Sequence, residues 1–252
     1  MNRIKTVTVR SMTLGDGMPK ICIPVTAENR EMMKKQVEQI LAGPSDMIEW
    51  RVDYYQETEE PDWLEGTLAY LRELIGDLPL LFTFRTKEEG GERSISMENY
   101  QEWNKRAAAA GLTDFIDIEL NRGEKLFQKL CKEIQECGGK VIASFHDFGK
   151  TPAKIELINT MCKMQEFGAD VSKVAVMPVK DRDVLTLIEA TLDMKEKYAD
   201  RPYITMSMSA KGGISRLCGT LTGSCLTFAT AGRASAPGQM EAELVQEVLH
   251  KL

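Results

Sequence analysis

Eight short runs of apolar and β-branched residues recur along the 252-residue chain, separated by longer stretches with apolar positions every three to four residues. The runs are KICIPV from Lys20, MIEWRV from Met47, LLFTFR from Leu80, FIDIEL from Phe115, VIASFH from Val141, VAVMP from Val174, YITMSM from Tyr203 and a weaker CLTFA from Cys225. Runs of this length predict strands buried on both faces. The stretches between them, among them REMMKKQVEQIL, DWLEGTLAYLRELI, SMENYQEWNKRAAAA, AKIELINTMCKMQEF and DVLTLIEATLDMKEKY, have helical spacing. Repetition of this unit, roughly thirty residues long, predicts an α/β protein with a closed (β/α)8 TIM barrel. An open doubly wound sheet is the alternative, but no run leads into G-x-G-x-x-G or a Walker loop. The first segment, KTVTVRSMTLGDGMPK, alternates like a β-hairpin and is expected to close the bottom of the barrel, its amino-terminal end. No linker or low-complexity tract interrupts the pattern, so residues 1–252 are expected to form a single domain.

Composition adds exclusions. Hydrophobic residues make up 43% and charged residues 28%, ordinary for a globular chain with a large core. The net charge of -6, with both signs mixed and no basic stripe, argues against nucleic acid as a partner. A few arginines in a cleft could still bind a small anion. Neither a signal-peptide core nor a membrane span is apparent, so no membrane partner is expected. Six cysteines without C-x-x-C spacing suit reduced thiols in the cytoplasm, with disulfides in a secreted chain as the competing view.

In such a barrel the carboxyl ends of the strands face one shared site, so polar residues there are candidates for chemistry. Glu49 and Arg51 end the second run, Arg85 ends the third, Asp117 and Glu119 lie in the fourth, His146 follows the fifth, Lys173 opens the sixth and Arg216 comes after the seventh. Charges within buried strands must be paired. The plain alternative to substrate contact is a structural network in which Glu49, Arg51, Arg85 and Glu119 hold one another. Lys173 precedes an apolar run, where barrel walls and neighbouring cations would favour the free amine, a nucleophile. Read alone it could equally be a surface lysine. His146, one strand away, could supply the proton transfers that imine chemistry requires. The other histidine, His250, belongs to the final helix and reads as solvated. Two histidines this far apart make no zinc site, and no metal is expected.

The motifs FTFRTKEEGGE, FHDFGKTP, SKVAVMP, MSMSAKGGISR and ASAPGQ, in this order, resemble those of type I 3-dehydroquinate dehydratases over nearly the whole chain. The resemblance implies a cofactor-free syn loss of water from 3-dehydroquinate to give 3-dehydroshikimate. It assigns the imine to Lys173, acid–base chemistry to His146 and orientation of His146 to Glu89. By the same resemblance Arg216 clamps the substrate carboxylate, Glu49, Arg51 and Arg85 line the ring pocket, and Ser235 and Gln239 belong to a loop that closes over the substrate. Family members are commonly homodimers. Pro24 is a departure, since some relatives carry a serine there. A class I aldolase is the alternative within barrels, its mark being a glycine-rich phosphate loop to which AKGGISR gives some support. A non-catalytic scaffold would predict a broken set, and Lys173, His146, Glu89 and Arg216 are all present.

Overall fold

In this computed structural model, residues 4–232 and 235–252 are described. The chain begins with an antiparallel pair, β1 (Val7–Val9) and β2 (Met12–Leu14). Eight parallel strands follow: β3 (Lys20–Val25), β4 (Met47–Arg51), β5 (Leu80–Thr83), β6 (Phe115–Glu119), β7 (Lys140–Asp147), β8 (Val171–Val176), β9 (Tyr203–Ser207) and β10 (Leu226–Phe228). They lie in the order β10-β3-β4-β5-β6-β7-β8-β9. Between β9 and β10 the ladder is reduced to the Cys225 N–H donating to the Tyr203 carbonyl (2.9 Å) and the Thr205 N–H donating to Ser224 Oγ (3.0 Å), so the TIM barrel is nearly closed.

Helices α1 (Arg30–Leu41), α2 (Trp63–Ile75), α3 (Met97–Ala109), α4 (Glu124–Glu136), α5 (Lys154–Glu166) and α6 (Asp181–Asp193) connect the strands in turn. Two single-turn helices, α7 (Ile214–Leu217) and α8 (Gly219–Thr222), follow β9, and α9 (Ala242–Lys251) follows β10. Local chemistry sets some starts: the Asn29 side chain accepts from the Met32 N–H, and Ser96 accepts from the Asn99 N–H.

The period of two along the strands divides the core. Ile48, Trp50, Phe82, Ile116, Ile118, Val141, Ala143, Val174 and Val176 pack outward with the helices. Their alternates Cys22, Met47, Leu81, Phe115, Ile142, Val171, Ile204 and Leu226 form a separate apolar layer inside the barrel, and Val7, Met12 and Leu14 of the hairpin pack on it from below. The hairpin therefore closes the bottom, as its alternation suggested. Its turn falls at Arg10, with φ +49°, and not at the nearby Gly15–Gly17. Arg10 ties it down through Asp114 (2.8 Å) and Asp77 (2.7 Å).

The strand bounds correct three expectations. Lys173 is the third residue of β8 and does not open the strand, because the polar Ser172 ahead of it is also a strand residue, its hydroxyl donating to the Met161 carbonyl of α5. His146 lies within β7, whose pairing with β8 continues through Asp147. Arg85 stands two residues beyond the end of β5.

Leu14 is fully buried at the centre of the plug. Leu14→Ala should lower unfolding stability by about 3 kcal/mol. Urea denaturation checks this, and a change below about 1 kcal/mol would mean that the hairpin contributes little to the core.

Candidate active site at the carboxyl end of the barrel

Above the apolar layer the inward positions turn polar, and Glu49, Arg51, Arg85, Glu89, His146, Lys173, Arg216, Ser235 and Gln239 all line one cavity of about 90 Å³. These are the nine residues to which the resemblance gives roles, while the strand candidates Asp117 and Glu119 are not among the walls. Phe148, Ala175, Met206, Met208, Phe228 and Pro237 supply apolar surface. Pro24 is not among the lining residues.

Lys173 is 4% exposed. Its Nζ lies 3.5 Å from Asp117 Oδ2, 3.9 Å from Glu49 Oε1 and 4.4 Å from the centre of the Phe228 ring. The charged groups that touch the amine are thus carboxylates, where the sequence suggested cations. Glu49 also accepts from Thr83 Oγ1 (2.8 Å), and Asp117 accepts from Ser144 Oγ (2.6 Å), so both acids are held from the neighbouring strands. Burial opposes ionisation of Asp117, but the charges of Arg85 and Lys173 outweigh it and hold the carboxyl below its ordinary range.

The expected four-residue network is differently wired. Arg85 donates to Glu119 (2.9 Å), to Ser144 Oγ (2.9 Å) and to Asp117 (2.8 Å). Arg51 instead makes a two-pronged pair with Asp53 at 2.8 and 2.7 Å. Asp53 and Ser144 are not among the residues singled out from sequence, and Asp117 is, though without an assigned role. Asp117 was visible as a charge within a strand, whereas the Arg51–Asp53 pair depends on the turn Val52–Tyr54, which periodicity does not reveal.

Glu89 ends the single 3-10 turn Lys87–Glu89 after β5. Its Oε2 lies 2.8 Å from His146 Nδ1 and accepts the His146 backbone N–H at 3.1 Å. Burial and the nearby Glu119 charge push the Glu89 carboxyl up to about 8. Burial, then the charges of Arg85, Lys173 and Arg51, hold the His146 imidazole well below its usual range. Both shifts favour the uncharged partners, in which the Glu89 O–H donates to Nδ1 and the ring proton sits on Nε2. His146 Nε2 makes no hydrogen bond among the described residues. Once Glu89 is ionised and the one ring proton lies on Nδ1, Nε2 is a base.

Arg216 is only 3% exposed, yet no carboxylate pairs with it among the described residues. Its Nη groups reach the Pro237 carbonyl (3.1 Å), the Phe228 carbonyl (3.4 Å) and Met206 Sδ (3.7 Å), and Nε is buried without a partner. Burial alone pulls its pKa down to about 10. An anion in the cavity would supply the missing charge.

The loop after β10 lies against this arginine. Gln239 Oε1 accepts from the Ser235 N–H (2.7 Å), and the Pro237 carbonyl accepts from both Arg216 and the Ser209 N–H (3.1 Å). Gly238, with φ +80°, has no room for a Cβ, which would strike the Ser209 carbonyl. Arg233 and Ala234, within the predicted closing loop, lie outside the described residues. The glycines of AKGGISR have a packing reason: a Cβ at Gly212 would overlap the Ser207 carbonyl. That removes the support they lent to a phosphate loop.

A TIM barrel that gathers a buried amine, an imidazole–carboxyl pair and a guanidinium without an acid partner among the described residues at the carboxyl ends of its strands has the layout of a barrel enzyme with one small polar cavity. Comparison with known proteins narrows the class. A family model for type I 3-dehydroquinase matches residues 21–252. A 3-dehydroquinate dehydratase from Clostridioides difficile is 46% identical over 248 residues, covering 98% of this chain and 97% of the relative. One from Bacillus licheniformis is 47% identical, covering 98% of each. The crystal structure of the type I enzyme from Clostridium difficile carrying covalently modified comenic acid superposes with a TM-score of 0.95 at 45% identity, covering 99% of this chain and 98% of that one. The chain belongs to the type I 3-dehydroquinase family, and with it to the hydro-lyases.

The Glu89 carboxyl sits at its usual value near ~4.3 in the unfolded chain and at about 8 in the folded one. Its contribution to stability is complete below the unfolded value and is lost as pH rises through about 8. Glu89→Gln removes this dependence, so its stability relative to the parent should increase from pH 5 to pH 8.5. Urea melts at several pH values measure it, and parallel curves would show that Glu89 ionises normally.

Proposed function

We propose that the chain dehydrates 3-dehydroquinate to 3-dehydroshikimate through an imine on Lys173, without a cofactor or metal, as the third step of the shikimate pathway. The observation that carries this reading is the pairing, in one cavity, of a buried lysine amine with a buried guanidinium that has no acid partner among the described residues. The first suits a ketone and the second a carboxylate, and the proposed substrate has both.

In this reading the Lys173 nitrogen attacks the ring ketone, and the carbinolamine loses water to give an iminium. Asp117 and Glu49, at 3.5 and 3.9 Å, are positioned to stabilise that cation. The iminium acidifies the adjacent carbon. His146 Nε2 takes the proton, the C–H electron pair forms a C=C bond while the C=N π pair returns to nitrogen to give an enamine, and the enamine expels hydroxide, which leaves as water with the proton from His146. Hydrolysis of the product imine restores the amine. Arg216 grips the carboxylate, Glu49, Arg51 and Arg85 shape the pocket for the ring hydroxyls, and Ser235 and Gln239 close it. Free thiols at all six cysteines suit a cytoplasmic protein, and family habit favours a homodimer, which light scattering would measure.

Two experiments test the reading. Borohydride added during turnover should fix one reduced ligand per chain on the VSKVAVMP peptide, and Lys173→Ala should lose both the adduct and nearly all activity. Full activity in Lys173→Ala, or an adduct on Lys150, Lys180 or Lys211, would sink the imine mechanism. Separately, Arg216→Ala should raise KM by at least about tenfold, since a charge-assisted paired contact to a carboxylate contributes roughly 1.5–3 kcal/mol. An unchanged KM would rule out Arg216 as the carboxylate anchor.

A further inference from the structure

The two oxygens of Glu89 face different groups. Oε2 faces His146, while Oε1 accepts from Asn121 Nδ2 at 2.9 Å. Asn121 lies in the turn Leu120–Arg122 after β6 and is not one of the residues lining the cavity. Among the described residues, it is the only side chain besides His146 that hydrogen-bonds Glu89. We propose that Asn121 is a positioning residue for the acid–base pair: its amide holds the Glu89 carboxyl turned toward His146 and favours the ionised form, which keeps the ring proton on Nδ1 and Nε2 free.

The charges around Glu89 show why a neutral donor matters there. From β6, the Glu119 and Asp117 carboxylates face it and favour its protonated form. Arg85, the nearest cation at 3.8 Å, is already committed to both of those acids at 2.9 and 2.8 Å. Arg122, next to Asn121, points its guanidinium at Glu119 (3.3 Å) and Glu88 (3.2 Å). From β7, His146 offers its backbone N–H and ring. An amide N–H donates to a carboxylate more strongly than to a neutral acid and has no proton to give up, so it shifts the balance without joining the exchange. If Glu89 is protonated, its O–H donates to Nδ1, the ring proton moves to Nε2, and the base is lost. One proton decides between the two arrangements.

The inference rests on the proposal that His146 Nε2 accepts the substrate proton, and the two can be separated. Nitrogen-15 NMR of labelled histidine reads the His146 tautomer directly, with His250 as the only other histidine. In Asn121→Leu the Nδ1–H tautomer should appear about one pH unit higher than in the parent, and the acid limb of kcat should move with it, so that the rate below the limb falls about tenfold. KM and the high-pH plateau should stay within about twofold of the parent, and Asn121→Gln, which keeps the donor, should bring the limb back. Asn121→Ala reads the same shift if the leucine variant does not fold. An unmoved tautomer midpoint, or a fall in kcat that is equal at every pH, overturns the assignment of Asn121. A midpoint that moves while the kcat limb stays put upholds Asn121 and overturns His146 as the base.

Discussion

A charge inside a protein must be compensated, and the mouth of this barrel buries the acids Glu49, Asp53, Glu89, Asp117 and Glu119 together with the bases Arg51, Arg85, Lys173 and Arg216. Their distribution is uneven. Arg216 stands apart with carbonyls and a thioether, which leaves three bases among five acids on the other side. Arg51 is matched to Asp53, so Arg85 and Lys173 serve Glu49, Asp117 and Glu119, with little left for Glu89. The deficit falls on Glu89, whose carboxyl is pushed up to about 8 by burial and by Glu119. The shortage of cation beside His146 and the Arg216 guanidinium without an acid partner among the described residues are two sides of one uneven distribution.

Strand geometry produces this arrangement. Alternation sends every second side chain inward, so a strand such as FIDIE carries Phe115 into the apolar bottom layer and Asp117 and Glu119 toward the site, while Ile116 and Ile118 meet the helices. The same step takes β7 from Ile142 through Ser144 to His146 and β8 from Val171 to Lys173. The parallel register places Ser144 beside Lys173, which lets one hydroxyl bridge Asp117 and Arg85 directly under the amine. The hairpin beneath matters to the chemistry because it seals the apolar layer and keeps water from reaching these charges from below.

Much of this was readable in the sequence because it follows from period and order. The eight strands and most helix bounds come from spacing alone, and Glu49, Arg51, Arg85, Asp117 and Lys173 stand out as charges at or within apolar runs. Arg216 stands out only as a charge after the seventh run, and its role, like those of Glu89, Ser235 and Gln239, comes from resemblance. The wiring was not readable. Asp53 meets Arg51 only because the chain turns after β4, and Asn121 meets Glu89 only because the loops after β5 and β6 pack together. Spacing starts β8 two residues too late, at Lys173 instead of Val171, because a strand residue that hydrogen-bonds to a helix carbonyl, as Ser172 does, looks in sequence like a loop residue.

Arg216 also links the ligand to the loop above it. Its guanidinium donates to the Pro237 carbonyl, which in turn accepts from the Ser209 N–H, and Ser209 itself adopts an uncommon φ of +61°. Carbonyls satisfy its hydrogen bonds in part but leave its charge unbalanced and Nε without a partner. A carboxylate entering the cavity would compete for the same donors, and it could take them only by loosening the Pro237 contact or by adding to it through Nε. In either case the position of the loop depends on what Arg216 holds, because one buried cation with too few partners cannot be indifferent to an arriving anion. The loop and the barrel mouth are thus joined through a single buried side chain, whose hydrogen bonding follows from the same uneven distribution of charge that shapes the His146–Glu89 pair.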